Sequence, residues 1–114
     1  MAAPAVREDA REMLKRAGDR QLAAPGVITA VDVDGDPVAL YEIDGEVLAT
    51  TDKCPHAACL LSESGEIYDD QVECTCHGSS FDIRTGENLN PPSAASLMAY
   101  RVVVKDGELL VDIE

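Results

Sequence analysis

Every cysteine and histidine of this 114-residue chain lies in one of two short windows. The first window reads CPHAAC from position 54, and the second reads CTCHGS from position 74. A single histidine or thiol is usually a packed core residue, but all four cysteines and both histidines are gathered here. This clustering indicates that two loops form a metal site.

The spacing within the windows is C-x-H, seventeen intervening residues, and then C-x-x-H, given by Cys54, His56, Cys74 and His77. Each window supplies one thiolate and one imidazole. Two loops side by side can therefore place both thiolates on one iron and both imidazoles on a second iron. A tetrahedral zinc ion also binds two Cys and two His, although zinc fingers usually pair like residues. The spacing alone leaves both metals open.

Apolar runs separated by turn signals flank the two windows. Asp-Gly between apolar runs is a strong hairpin signal. It predicts strands over Val27–Val33, Pro37–Ile43, Val47–Thr51, Tyr100–Lys105 and Glu108–Ile113, with turns at Asp34-Gly35-Asp36, Asp44-Gly45 and Asp106-Gly107. Both alternate faces of Pro37–Ile43 are largely apolar, as expected of a strand covered on each side. The two ends of the domain are thus predicted to be antiparallel β structure.

The N-terminal segment has a different pattern. Apolar residues from Val6 to Ala17 fall on one face of a helix that would run from Pro4 to about Ala17. Gly18 suits the end of that helix, and a short linker would follow it to Gly26. We therefore expect a helical extension and linker over residues 1–26 and the main domain over 27–114.

Composition narrows the possible partners and location. The chain has 22 acidic and 9 basic side chains, which give a formal charge of −13. This charge disfavours nucleic acid and anionic membranes as partners and favours a basic protein face, although acidic residues also simply confer solubility. The sequence shows neither a signal peptide nor a run of about 20 apolar residues, so it predicts no membrane span and a cytoplasmic location.

The second window continues into Gly78-Ser79-Ser80-Phe81-Asp82, and C-x-H…C-x-x-H followed by this run resembles the signature of Rieske iron-sulfur proteins. The resemblance covers roughly Val27 to Ile113, including Thr85-Gly86 and a Pro91-Pro92 segment similar to the family's third cluster-covering loop. It implies an all-β fold, an antiparallel sandwich with an inserted cluster-binding part at about residues 52–92, here with a short N-terminal helix added.

The same resemblance assigns roles to individual residues. It implies one [2Fe-2S] cluster, with Cys54 and Cys74 on the buried iron and His56 and His77 on the outer iron. Other residues would surround the cluster: Cys59 and Cys76 as the disulfide of high-potential members, Ser79 as a donor to a bridging sulfide, Phe81 where those members carry tyrosine, and Pro92 in the third loop. Two reduced thiols are the alternative to the disulfide, but burial beside the cluster would shield it from reductants.

These assignments predict a soluble one-electron carrier that is not itself an enzyme. We expect the ferredoxin component that passes electrons from a reductase to an oxygenase, through basic faces on both partners. One alternative is the Rieske subunit of a respiratory quinol- or arsenite-oxidising complex, which the cysteine pair favours. A structural Cys2His2 zinc domain is a second alternative. With Ser79 present and Phe81 lacking a hydroxyl, we expect an intermediate potential within roughly −150 to +300 mV.

Overall fold

The computed structural model describes residues 14–54, 59–76, 78–89 and 95–112. Nine β-strands account for most of this part of the chain, with one short α-helix and one 3₁₀ turn. In chain order they are β1 Leu14–Asp19, the 3₁₀ turn Arg20–Leu22, β2 Thr29–Val33, β3 Asp36–Ile43, β4 Glu46–Thr51, α1 Leu61–Ser64, β5 Gly65–Tyr68, β6 Gln71–Cys74, β7 Ser79–Asp82, β8 Ala99–Lys105 and β9 Glu108–Asp112.

The larger sheet has six strands in the order β1-β9-β8-β4-β3-β2, and every neighbouring pair is antiparallel. We call this sheet the base. Its own core is made of aliphatic side chains: Ala23, Val33, Val38, Leu40, Val47, Ala49, Leu109 and Val111. The five predicted strands are all present within one or two residues of their expected limits, which confirms the antiparallel reading of both ends.

The three Asp-Gly turns close the three hairpins of the base. In each turn both residues have positive φ, for example 54° at Asp106 and 76° at Gly107. Positive φ at both central residues defines the type I′ turn, whose twist matches that of the flanking strands. The turns therefore fix strand register from a local sequence signal.

The predicted N-terminal helix is wrong where it can be compared. Residues up to 13 lie outside the described part, but Leu14–Ala17 belong to β1, which pairs with β9 from Leu14 opposite Asp112 to Asp19 opposite Glu108. A bulge between Arg16 and Gly18 shifts the register. The amphipathic pattern predicted a helix wrongly, because residues 14–19 form backbone hydrogen bonds with the edge of β9. Local periodicity does not reveal such a distant partner. Residues 14–19 thus complete the base sheet.

The smaller sheet, β5-β6-β7, is inserted between β4 and β8. We call it, with the loops beside it, the cluster-binding part, after the role that the sequence resemblance implies. A second core joins it to the base and contains Ala39, Tyr41, Ile43, Cys54, Leu61, Val72, Cys74, Phe81, Ile83 and Leu97. Strand β3 contributes alternate residues to both cores, Val38 and Leu40 to one and Ala39, Tyr41 and Ile43 to the other. Its predicted burial on two faces and the all-β fold are confirmed.

Candidate metal centre

The first candidate loop leaves β4 and turns back before α1. Lys53 and Leu60 form an isolated antiparallel bridge at its base. Above the bridge, the Cys54 N–H donates to the Cys59 carbonyl at 3.0 Å. This closure places Cys54 at 3% exposure, facing the second core. His56, within the same loop, lies outside the described residues.

The second candidate loop connects β6 to β7. The ladder of these two strands ends with Cys74 opposite Ser79, and the Gly78 N–H donates to the Cys74 carbonyl at 2.8 Å. Cys74 is the last residue of β6 and is fully buried. His77, which falls between Cys76 and Gly78 in the sequence, also lies outside the described residues.

The two loops therefore bring Cys54 and Cys74 into the same buried core. Neither takes part in a disulfide. Thiolates are the protein ligands that hold iron-sulfur clusters, so this donor pair fits the cysteine side of such a site. The predicted roles of His56, His77 and Pro92 fall outside the described residues and stay predictions.

A disulfide between Cys59 and Cys76 joins the two loops, with an S–S distance of 2.03 Å. The structure thus contains the pairing that the resemblance implied. The expected shielding of this disulfide is wrong, because Cys76 is exposed and Cys59 is partly exposed. The loops project beyond the core, so the disulfide lies at the outer edge of the site.

The short helix α1 is held against both loops by hydrogen bonds. The buried Asp52 carboxylate accepts from the Ser62 N–H and from the Ser62 hydroxyl, each at 2.7 Å. At the other end of α1, the Ser64 carbonyl accepts from the Thr75 N–H at 2.9 Å and from the Thr75 hydroxyl at 2.7 Å. Asp52 thus anchors the chain after the first loop, and Thr75 anchors the second loop.

Sequence reasoning missed the part played by Asp52. Its carboxylate is 1% exposed, whereas an acidic residue next to a strand end is most often a solvated turn residue. The available signal was the acid at the end of an apolar strand, followed ten positions later by Ser62 at the start of a short helix. That separation is too long for a recognised capping pattern, so the contact between Asp52 and Ser62 could be identified only in the folded structure.

Gly86 closes the base of the third loop region. Its N–H donates to the Asp82 carbonyl at 2.6 Å, and its own carbonyl accepts from the Leu97 N–H at 2.8 Å. It has a φ of +80°, and a Cβ at this position would lie 2.0 Å from the Leu97 carbonyl oxygen. After Gly86 the chain runs beside β7, where Asn88 bridges Phe81 and the Leu89 N–H donates to the Ser80 carbonyl at 2.8 Å, and Leu97 lies beside Gly86 again. Pro92 falls between Leu89 and Leu97 in the sequence, outside the described residues.

Three polar or aromatic side chains lie beneath the loops. Ser79 is 8% exposed and Phe81 is fully buried in the second core. Tyr41, also fully buried, donates its hydroxyl proton to Thr50 Oγ1 at 2.8 Å, since the Thr50 hydroxyl donates to the Thr51 carbonyl. Burial raises the pKa of Tyr41 far above its ordinary value, with a smaller contribution from the Asp52 charge. The phenol is therefore a neutral hydrogen-bond donor.

Residues 13–101 match the family model of the Rieske [2Fe-2S] domain, and the chain belongs to this family. It carries one [2Fe-2S] cluster, which overturns the zinc alternative. Among its relatives, the biphenyl dioxygenase ferredoxin subunit of Pseudomonas sp. (strain KKS102) is 39% identical over 88 residues, 77% of this chain and 81% of that protein. The ferredoxin component of biphenyl 2,3-dioxygenase from Rhodococcus jostii (strain RHA1) is 37% identical over 91 residues, 80% and 84% of the two chains.

Comparison with solved structures supports the same family. The ferredoxin of carbazole 1,9a-dioxygenase from Nocardioides aromaticivorans IC177 superposes with a TM-score of 0.79 at 35% identity, covering 89% of this chain and 98% of that one. A complex of reduced oxygenase and oxidised ferredoxin in carbazole 1,9a-dioxygenase contains a chain with a TM-score of 0.74 at 34% identity, covering 84% and 98%. The chain is therefore a Rieske ferredoxin, an electron-transfer component and not the catalytic one. No helix within the described ranges is long and apolar enough to cross a membrane.

Proposed function

We propose that this ferredoxin is the component of a dioxygenase system that takes single electrons from a reductase and delivers them to the oxygenase. The observation that carries the proposal is the likeness to a ferredoxin solved in complex with its oxygenase, which this chain matches over nearly that ferredoxin's whole length. Relatives named as components of biphenyl, p-cumate and naphthalene dioxygenase systems support the same class of acceptor.

In this proposal Cys54 and Cys74 bind one iron, and His56 and His77 bind the other. The bound cluster supplies a reversible one-electron couple. The two cysteines are buried in an apolar core, so they hold the cluster away from solvent on that side. Ser79 pairs with Cys74 at the end of the ladder and would donate to a cluster sulfide, which would stabilise the reduced state. Pro92 would cover the cluster from the third loop.

The cluster ligands can be tested in the purified protein. We expect the absorption and paramagnetic spectra of a [2Fe-2S] centre with mixed thiolate and imidazole ligands. Changing His77 to Cys should keep a cluster but lower its midpoint potential, because a thiolate adds negative charge where a neutral imidazole was bound. An unchanged midpoint potential in His77→Cys would argue against ligation by this histidine.

The partners are proposed to present basic faces. The formal charge is −13, and Arg16, Arg20 and Arg84 each form an ion pair with a carboxylate of this chain. These pairs leave an excess of acidic side chains for long-range attraction. The rate of ferredoxin reduction by the reductase of a related dioxygenase system should fall as salt rises. A salt-independent rate would remove the electrostatic part of the proposal and leave the carrier role standing.

The Rieske subunit of a respiratory quinol- or arsenite-oxidising complex is the second candidate. The Cys59–Cys76 disulfide favours it, because this pair is the mark of the high-potential branch. The missing hydroxyl at Phe81 and the similarity to dioxygenase ferredoxins favour the first candidate. A midpoint potential measurement separates them: a value near the upper end of about −150 to +300 mV would support the quinol-linked role.

A further inference from the structure

Three cysteine sulfurs converge where the two cluster loops meet. The Sγ atoms of Cys59, Cys74 and Cys76 all lie within 4.8 Å of one another. Cys59 and Cys76 are joined in the disulfide, and Cys74 stands beside them. A zinc–sulfur bond of about 2.3 Å places the sulfurs of a tetrahedral site about 3.8 Å apart. Once the S–S bond is broken, the Cys59 and Cys76 sulfurs must separate from 2.03 Å to about this distance, while the Cys74 sulfur already lies within 4.8 Å of both.

Backbone contacts hold these cysteines in place independently of the disulfide. The Cys54 N–H donates to the Cys59 carbonyl at 3.0 Å, which fixes the end of the first loop. In the second loop, Thr75 lies between the other two cysteines and makes two hydrogen bonds to the Ser64 carbonyl. Breaking the S–S bond therefore leaves the three sulfurs close together.

The site is also open to reagents from one side. Cys76 is exposed, Cys59 is partly exposed, and Cys74 forms the buried floor. A dithiol reductant can reach the disulfide from solvent, and a cation can follow the same route. Soft thiolate sets select Zn²⁺ and Cu⁺ among the common biological cations.

We propose that reduction of the Cys59–Cys76 disulfide creates, together with Cys74, a three-thiolate site for one soft cation. The dithiol transfers two electrons and two protons, becomes a disulfide itself, and leaves Cys59 and Cys76 as thiols. The cation then displaces the thiol protons of all three cysteines. The intact disulfide thereby reserves Cys74 for the iron-sulfur cluster. This last consequence rests on the proposed cluster ligands, whereas cation binding itself does not.

The decisive experiment uses full-length Cys54→Ser protein without cluster, in which the proposed four-ligand iron site is broken and the three-thiol set is intact. Zn²⁺ affinity is measured by competition with a chromogenic chelator, before and after treatment with a dithiol. Loss of a single outer-shell partner already costs roughly 10–100-fold in metal affinity, so gaining two ligands should tighten binding by more than about 100-fold. We expect one Zn²⁺ per chain in the reduced form.

The matched control is the double variant Cys54→Ser, Cys76→Ser, which retains Cys59 and Cys74 but cannot complete the set. Its Zn²⁺ affinity under reducing conditions should be lower than that of reduced Cys54→Ser by about 100-fold. Equal affinities in these two reduced variants would overturn the proposal. So would a Zn²⁺ affinity of Cys54→Ser that does not respond to the dithiol.

A measurement on the wild-type chain covers the case in which Cys54→Ser does not fold. Co²⁺ is added to the cluster-free protein, and the thiolate-to-cobalt charge-transfer absorption reports how many sulfurs bind. The oxidised chain can offer only Cys54 and Cys74, so its absorption corresponds to two thiolates at most. The reduced chain should show three, and an absorption no stronger than that of the oxidised chain would refute the three-thiolate site. Neither result depends on whether the loaded protein serves a dioxygenase.

Discussion

The base and the cluster-binding part are both antiparallel β structure, but they are held together in different ways. Strands of the base run to eight residues, as in β3, which is paired along its whole length by β2 and β4 and contributes to an aliphatic core. The three strands of the cluster-binding part have four residues each. Its loops depend on a few particular contacts: the Asp52 carboxylate, the Cys59–Cys76 disulfide and the Gly86 turn.

This difference shows how a small fold separates stability from function. Ladders distribute the free energy of folding over many similar contacts, so no single hydrogen bond of the base accounts for a large share of its stability. The loops that carry the proposed ligands lack such ladders, and each specific contact there accounts for a large share of local stability. Substitutions in the cluster-binding part should therefore cost more than chemically identical substitutions in the base.

Two glycines test this comparison with the largest expected effect. Gly86 in the cluster-binding part and Gly107 in the base have φ of +80° and +76°. A Cβ at Gly107 meets no atom within 4 Å, whereas at Gly86 it would lie 2.0 Å from a backbone oxygen. Gly107→Ala should cost only the left-handed backbone strain, about 1–2 kcal/mol. Gly86→Ala adds a clash with backbone worth about 1–3 kcal/mol, for a total of about 2–5 kcal/mol.

Urea unfolding of the cluster-loaded protein measures both glycine variants. Equal destabilisation by Gly86→Ala and Gly107→Ala would show that the backbone near Leu97 moves to relieve the clash with no loss of stability. That result would contradict the comparison. If Gly86→Ala lost its cluster absorption at a lower urea concentration than its β structure, the comparison would be supported, because the strain would then act on the site and not on the base.

The sequence predicted five strands of the base, whereas in the cluster-binding part it predicted candidate ligands but not the strands β5, β6 and β7. Hairpins closed by Asp44-Gly45 and Asp106-Gly107 are local, since the turn chemistry and the flanking apolar runs are neighbours in the chain. The six-residue β1 was misread because its partner, β9, is about ninety residues away or more. Contacts with no local signature, such as Asp52 to Ser62, become visible only when the fold brings them together.

The site itself divides in the same way. Residue type and spacing selected Cys54 and Cys74 as candidate ligands, because metal-ligand chemistry admits few side chains, whereas the disulfide was predicted from the family resemblance. Exposure of Cys76 was not predictable, since it depends on how far the loops project beyond the core. The candidate ligand residues could thus be predicted from the sequence, whereas the solvent exposure of Cys76 could be seen only in the structure.

Removing the Asp52 carboxylate should have the next largest effect. Asp52→Ala deletes two hydrogen bonds to Ser62, one of them leaving a backbone N–H of α1 without this acceptor. Hydrogen bonds to a charged group contribute about 1.5–3 kcal/mol each, so we expect a loss of about 2–3 kcal/mol after relaxation. Glu63→Ala is the control, an exposed carboxylate in the same helix, and should change stability by less than about 0.5 kcal/mol.

Urea unfolding and the rate of cluster loss together test the role of Asp52. If Asp52→Ala were no less stable than Glu63→Ala, the buried carboxylate would not be an anchor of the first loop. Faster cluster loss in Asp52→Ala alone would tie that anchor to the metal centre.

Tyr41, in the core that joins the cluster-binding part to the base, predicts a dependence of stability on alkaline pH. Burial raises its pKa in the folded state, whereas in the unfolded chain the phenol has its ordinary pKa near 10. Below pH 10 both states keep the proton and stability is constant. Above it the unfolded state loses the proton first, so stability falls as pH rises, by about 1.4 kcal/mol at pH 11. Tyr41→Phe should remove this fall of stability above pH 10, whereas Tyr68→Phe, at an exposed position, should keep it. Identical pH profiles for wild type and Tyr41→Phe would contradict the assignment.

The smallest expected effect concerns the cluster and not the fold. Phe81 is fully buried in the core that contains Cys54 and Cys74, at the position where high-potential members of the family carry tyrosine. In the variant Phe81→Tyr, the added hydroxyl would donate to the cysteine side of the cluster and stabilise its reduced state. One hydrogen bond of about 0.5–1.5 kcal/mol corresponds to a rise of about 20–65 mV in a one-electron potential. Phe81→Leu, which adds no donor, is the control, and voltammetry of both variants measures the shift. A rise confined to Phe81→Tyr would place the cluster next to this strand, whereas equal potentials would mean that position 81 serves packing alone, as the side chains of the base do.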